Sequence, residues 1–211
     1  MKTESLIARL AADTAPIEKP AAVFAKGLGG GIAVAFLLVW SVLGFRHDML
    51  HAMAVWGYWA KFAYTLALAI AGFVIVERLA RPGTEAGHRI LLVAAAFALA
   101  ATGALAQWLS APDAQHAKLF FGGSWRVCVP LIVLVSLPIF VGVIAALRQL
   151  APTRPIAAGA AAGLLAGAAG AFVYGFHCNE SALIFVSIWY SAGIAAMTAI
   201  GALTGRWLLR W

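Results

Sequence analysis

Six stretches of the 211-residue chain lack Asp, Glu, Lys, Arg and His for long enough to cross, or nearly cross, a bilayer. They lie between Lys26 and Arg46, Lys61 and Glu77, Arg89 and Asp113, Arg126 and Arg148, Arg154 and His177, and Glu180 and Arg206. A helix rising about 1.5 Å per residue needs roughly 20 residues to traverse a hydrocarbon core of ~30 Å, and all but the second interval reach that length. The second spans only Phe62 to Val76; snorkelling of Lys61 and Glu77 would extend it, with Trp56, Tyr58 and Trp59 as an interfacial aromatic belt.

With 64% hydrophobic and 11% charged residues, the chain has too little polar surface for a soluble globule of this size. The expected fold is therefore all-α: a polytopic membrane protein with six transmembrane helices. The expected spans are 27–45, 60–79, 89–109, 127–147, 156–176 and 183–205, which divides the chain into an N-terminal segment 1–26 and a membrane domain 27–211. Glu4, Asp13 and Glu18 precede the first apolar run, a poor match to a basic signal-peptide n-region, so that run is expected to be a retained anchor.

A net charge of +7 could suggest nucleic acid, but the 15 Lys and Arg are scattered singly at helix ends, and no direct nucleic-acid partner is expected. They orient the chain instead. Eleven fall on one side of the expected topology and four on the other, the latter being Arg46, Lys61, Lys118 and Arg126. Positively charged loops stay inside, which predicts that both termini are cytoplasmic and that the lipid bilayer itself is an obligatory partner.

Within residues 1–26, Thr3 can cap a short helix through about Ala12 with Leu6, Ile7 and Leu10 on one face and Arg9 elsewhere, before Pro16 and Pro20 break it. Such a helix is marginal alone in water. It is either an interfacial anchor or a docking motif for a cytoplasmic protein. Between the second and third spans, Pro82 and Gly83 form the expected turn.

Gly159, Gly163 and Gly167 recur at four-residue spacing, as do Gly27 and Gly31, and Gly193, Gly201 and Gly205 mark the last span. Flat glycine faces of this kind serve close helix packing. Pro130 and Pro138 are expected to kink the fourth span. No ionisable group lies near the middle of a span, which counts against coupled transport and leaves a small-molecule or ion transporter or channel as the alternative function.

The two cysteines, Cys128 and Cys178, fall at the non-cytoplasmic ends of consecutive spans, where antiparallel neighbours could bring them together. A disulfide is feasible there, and so is a metal site, because thiolate and imidazole bind soft cations. His177 is the best placed additional ligand; His47, His51 and His116 also reach this face, as does Glu180. No catalytic constellation, phosphate-cradling loop or CxxC appears, so no enzymatic activity and no required cofactor is expected. Two thiols on separate helices suit a sensor better than a disulfide exchanger.

Several segments carry a family resemblance: MKTESLIARLAAD at the start, WAKFAYTLALA at 59–69, FGGSWRVCVPLIVLVSLPIF at 121–140, ALRQLAPTRP at 146–155, YGFHCNES at 174–181 and the ending GRWLLRW. Together they resemble the NrsF-type negative regulators of sigma factors, six-helix membrane anti-sigma factors. One position departs from that pattern: Asn179 follows the second cysteine, where the family often has proline. The resemblance implies a protein of the bacterial inner membrane that sequesters an extracytoplasmic-function sigma factor. Release would follow heavy-metal or related stress, with a heavy-metal ion as signal rather than cofactor. Cys128 and Cys178 would then be the signal-sensing residues, and Leu6, Ile7, Arg9 and Leu10 would belong to the partner-binding segment.

Overall fold

The computed structural model describes residues 20–81, 83–150 and 152–210. The expected N-terminal helix with Leu6, Ile7, Arg9 and Leu10, the breaker Pro16 and the turn residue Pro82 lie outside them. Among the described residues there are helices and no strands. Helix α1 is described over Pro20–Leu38 and continues as a π-helical turn, Val39–Leu43. There follow α2 (Met49–Met53), α3 (Trp56–Leu79), α4 (Ile90–Ser110), α5 (Asp113–Phe121), α6 (Trp125–Leu150) and α7 (Pro155–Tyr174). The short α8 (Leu183–Phe185) passes through a second π-helical turn, Val186–Tyr190, into α9 (Ser191–Leu208).

Six helical spans among the described residues are long and apolar enough to cross a membrane. Most outrun the uncharged intervals. Helical chain is present from Pro20, ahead of the expected first span at residue 27, and α6 runs unbroken through Pro130 and Pro138. The second span begins at Trp56, so Lys61 lies more than a turn inside it.

Helix α7 is the axle of the bundle. Its sequence, PIAAGAAAGLLAGAAGAFVY, is small on every side, so neighbours close on it all round: α9, α3 and α6 each pack along it. Helix α1 packs on α6, while α4 touches mainly α3 and α8 and buries only Ala96 and Ala104.

The glycine seams do what their spacing implies. A Cβ on Gly163 would sit 2.8 Å from the Met197 carbonyl carbon, and one on Gly159 would sit 2.7 Å from Gly205 Cα. Gly27 meets Gly142 in the same backbone-to-backbone manner, and a Cβ on Gly31 would lie 2.6 Å from Ile139 Cα. Without hydrophobic driving force between helices in lipid, such close approach and the dispersion contacts it permits are what hold spans together.

These contacts sort the helix ends into two faces. One gathers Gly27, Ala146, Pro155 and Gly205, with the loop residues Gly83 and Thr153 hydrogen bonded at 3.2 Å. Here Arg81 pairs with Glu77 at 2.7 Å, and Arg154 pairs with Glu85. The other face gathers Arg46, Lys61, Gly123 and Cys178.

Candidate functional site

On that second face the chain leaves α7 at Tyr174 and passes without helix or strand to Leu183, and this stretch carries Cys178. Cys128 lies one turn into α6, where its N–H donates to the Ser124 carbonyl at 3.0 Å. Both thiols are buried and unlinked, and they lie close enough for the charge state of one to govern the other. The hydroxyls of Tyr174 and Tyr190 face the same two sulfurs, and Ser124 Oγ stands 4.0 Å from Cys178 Sγ. Tyr190 is wholly buried at the end of a π-helical turn, and its hydroxyl has no hydrogen-bond partner. π-turns often mark functional sites because the extra residue re-aims a side chain.

The Cys178 thiol is pushed below the ordinary thiol range, first by the neighbouring Cys128 thiol and then, against burial, by the charge of Lys61. The pair is therefore asymmetric. Cys178 carries the thiolate character, which governs reaction with soft cations and oxidants.

Lys61 is not the snorkelling residue expected from its place beside Trp56, Tyr58 and Trp59. Its side chain turns inward and is 1% exposed, and Nζ donates to three backbone carbonyls: Gly175 at 3.1 Å, Cys178 at 3.0 Å and Glu180 at 3.1 Å. The reason is the helix end. Gly175 caps α7, where unsatisfied carbonyls and the helix dipole favour a cation, and three N–H donors meet three acceptors. The Tyr58 and Phe62 rings flank the ammonium at 5.6 Å, so Tyr58 is a buried wall of this site, whereas Trp56 and Trp59 remain exposed as an aromatic belt would be.

Arg46 backs the same segment. Its N–H donates to the Phe176 carbonyl at 3.1 Å and Nη1 reaches the Cys178 carbonyl at 3.4 Å, while the guanidinium forks onto Asp48 at 2.7 and 2.9 Å. That fork holds the Asp48 carboxyl down at about 2 and raises Arg46, so the pair stays ionised through the physiological range. On the other flank Glu180 Oε1 accepts the Gly123 N–H at 2.7 Å, tying the Cys178 segment to the turn that leads into α6.

Gly122 is required at that turn twice over. Its φ is +52°, and a Cβ there would lie 2.6 Å from the Glu180 carboxyl carbon. A side chain in this backbone region costs on the order of 1–3 kcal/mol. Gly122→Ala is accordingly expected to lower the thermal midpoint of the purified protein in detergent by several degrees; an unchanged midpoint would mean the turn contributes nothing.

The histidines are dispersed. His177 Nδ1–H donates to the Gly44 carbonyl at 2.9 Å, which fixes the orientation of the ring. His116 stacks on Trp108 at 4.0 Å between ring centroids and bonds the Trp108 carbonyl at 3.0 Å. His51 lies in α2 but His47 precedes it, so the two do not share a helical face. Among the described residues no three His, Cys, Asp or Glu side chains gather to hold a metal ion. The donor set that remains is the two thiols.

Lys61, Arg46, Tyr190 and the Glu180 latch were not singled out as site residues by the sequence. The one signal was the short second interval: a span five residues too brief implies that Lys61 belongs inside it.

A family model described as "Negative regulator of sigma F" matches residues 10–211. The "Anti-sigma-F factor NrsF" of Caulobacter vibrioides is 41% identical over 216 residues, covering 100% of both chains. The "Probable anti-sigma-F factor NrsF" of Azospira oryzae is 40% identical over 217 residues, again across 100% of both. No solved structure matches the chain. Similarity of this degree over the full length leaves one conclusion: the chain belongs to the NrsF family of negative regulators of sigma F.

Proposed function

We propose that this protein is an anti-sigma factor of the bacterial inner membrane that holds an extracytoplasmic-function sigma factor on its cytoplasmic face and frees it when the Cys128–Cys178 pair reacts. The observation that carries the reading is the meeting of the two thiols, 50 residues apart in sequence, in a buried cluster at one end of the bundle. The charge asymmetry favours placing that end outside and residues 1–26, with Leu6, Ile7, Arg9 and Leu10, inside as the sigma-gripping segment. Arg81 and Arg154 are already paired with Glu77 and Glu85, which leaves the N-terminal segment as the better candidate for that grip.

Two adjacent thiols fit a thiophilic cation as a two-donor ligand set, each thiol giving up its proton. A two-electron oxidant such as a peroxide would instead join them as a disulfide, taking two electrons and two protons. Either event replaces the thiol contact with a bond of different length and charge, and so shifts the bundle between two arrangements of differing sigma affinity. The transporter alternative gains nothing from the cavity of about 550 Å³ between α3, α4, α7 and α9, which is lined almost entirely by apolar side chains.

The test is co-purification. The full chain isolated from unstressed native membranes is expected to retain a sigma factor identifiable by mass spectrometry, and to lose it on addition of cadmium or mercuric ion. Repeated isolation without any sigma factor would overturn the assignment.

A further inference from the structure

The N–H groups of Gly175 through Cys178 donate to the last carbonyls of α7, but the carbonyls of segment 175–181, which carries Cys178, join no helix or sheet ladder and need donors from elsewhere. Its backbone carbonyls at Gly175, Cys178 and Glu180 all converge on one atom, Lys61 Nζ, at 3.0–3.1 Å. Other residues outside α7 tie the segment with one or two bonds: His177 to Gly44 at 2.9 Å, Glu180 to Gly123 at 2.7 Å, and Arg46 to the Phe176 carbonyl at 3.1 Å and, more weakly, to that of Cys178 at 3.4 Å. Buried carbonyls require donors, and a buried ammonium requires acceptors for each N–H. Lysine and segment therefore satisfy one another, and neither is satisfied if the segment lifts away.

We propose that Lys61 is the positioning residue of the thiol site: its ammonium holds segment 175–181 down and thereby sets how readily reagents reach Cys128 and Cys178. The proposal deepens the reading of the thiol pair as the responsive site and rests on it for its biological meaning. Its chemistry is independent of any sigma factor. Lys61 acts through the Cys178 backbone and the α7 terminus; its charge also lowers the Cys178 thiol, and losing that charge alone would slow alkylation, so faster labelling without Lys61 reports the opened segment.

The experiment measures alkylation by N-ethylmaleimide of the full-length protein in native membranes. Lys61→Met, of similar length but without donors, is expected to label at Cys128 and Cys178 about tenfold faster or more, the loss of closing free energy equivalent to one charge-assisted hydrogen bond. Lys61→Arg is expected to fall between, because a planar fork cannot aim three donors from one atom. A reporter thiol at the wholly buried Ala166 of α7, introduced as Ala166→Cys with Cys128→Ser, Cys178→Ser and Lys61→Met, is expected to stay unlabelled.

Wild-type labelling rates in Lys61→Met overturn the proposal. So does equal acceleration at residue 166, which would make Lys61 a support of the whole bundle. Should Lys61→Met fail to accumulate, Lys61→Arg decides, and a wild-type rate there overturns it. A failed sensor reading would show elsewhere, as normal induction in chains lacking both cysteines.

Discussion

Replacing Gly163 by leucine is expected to remove the folded protein from the membrane. Even a single added carbon would sit 2.8 Å from the Met197 carbonyl carbon and 2.9 Å from Thr198 Cα, against backbone that cannot rotate aside. Helices α7 and α9 would have to separate along the seam formed by Gly159, Gly163, Gly201 and Gly205, losing the contacts that substitute in lipid for a hydrophobic drive. Overpacking a tight interior costs typically 1–3 kcal/mol and occasionally more; a leucine on this seam belongs at or above the upper end, ~3 kcal/mol. Membrane accumulation and thermal aggregation in detergent measure it. Gly29→Leu provides the comparison, since no atom lies within 4 Å of a Cβ at Gly29 and that position is exposed on α1. If both variants behave alike, close packing at Gly163 is not what stabilises the bundle.

The second large effect concerns signalling. A chain carrying Cys128→Ser and Cys178→Ser is expected to repress a sigma-dependent reporter as the native chain does, and to stay repressed when cadmium, mercuric ion or peroxide is added. Serine keeps nearly the size of each side chain and a polar hydroxyl in its place, but it neither coordinates soft cations nor forms a disulfide. A tenfold rise in free sigma corresponds to about 1.4 kcal/mol of lost affinity, and that difference should vanish in the variant. Normal induction without the cysteines would remove the sensor role from Cys128 and Cys178 while leaving sigma binding intact.

What could be read from residues alone divides along a physical line. The six spans were legible because a charge in hydrocarbon is costly, so the gaps between charges mark the membrane. The glycine seams were legible because four-residue spacing places residues on one helical face. The meeting of Cys128 and Cys178 followed from antiparallel connectivity. Lys61 was misread: a lysine beside tryptophans at a span edge is the pattern of a snorkelling residue. Its true partners are main-chain carbonyls more than a hundred residues away, which leave no mark in side-chain identity. The Glu180 latch was hidden for the same reason, since its partner is the Gly123 N–H. The π-turns at Val39–Leu43 and Val186–Tyr190 escaped too, because a single inserted residue barely alters hydropathic periodicity.

Helix α7, packed on α9, α3 and α6 and pressed backbone to backbone on α9, is in mechanical terms a stiff pushrod. Side-chain interfaces have slack, because rotamers can change and absorb a small shift. Glycine seams have almost none, since main-chain atoms meet main-chain atoms along the length. A displacement at Tyr174, beside the thiols, would therefore arrive at Pro155, about 30 Å away, with little attenuation.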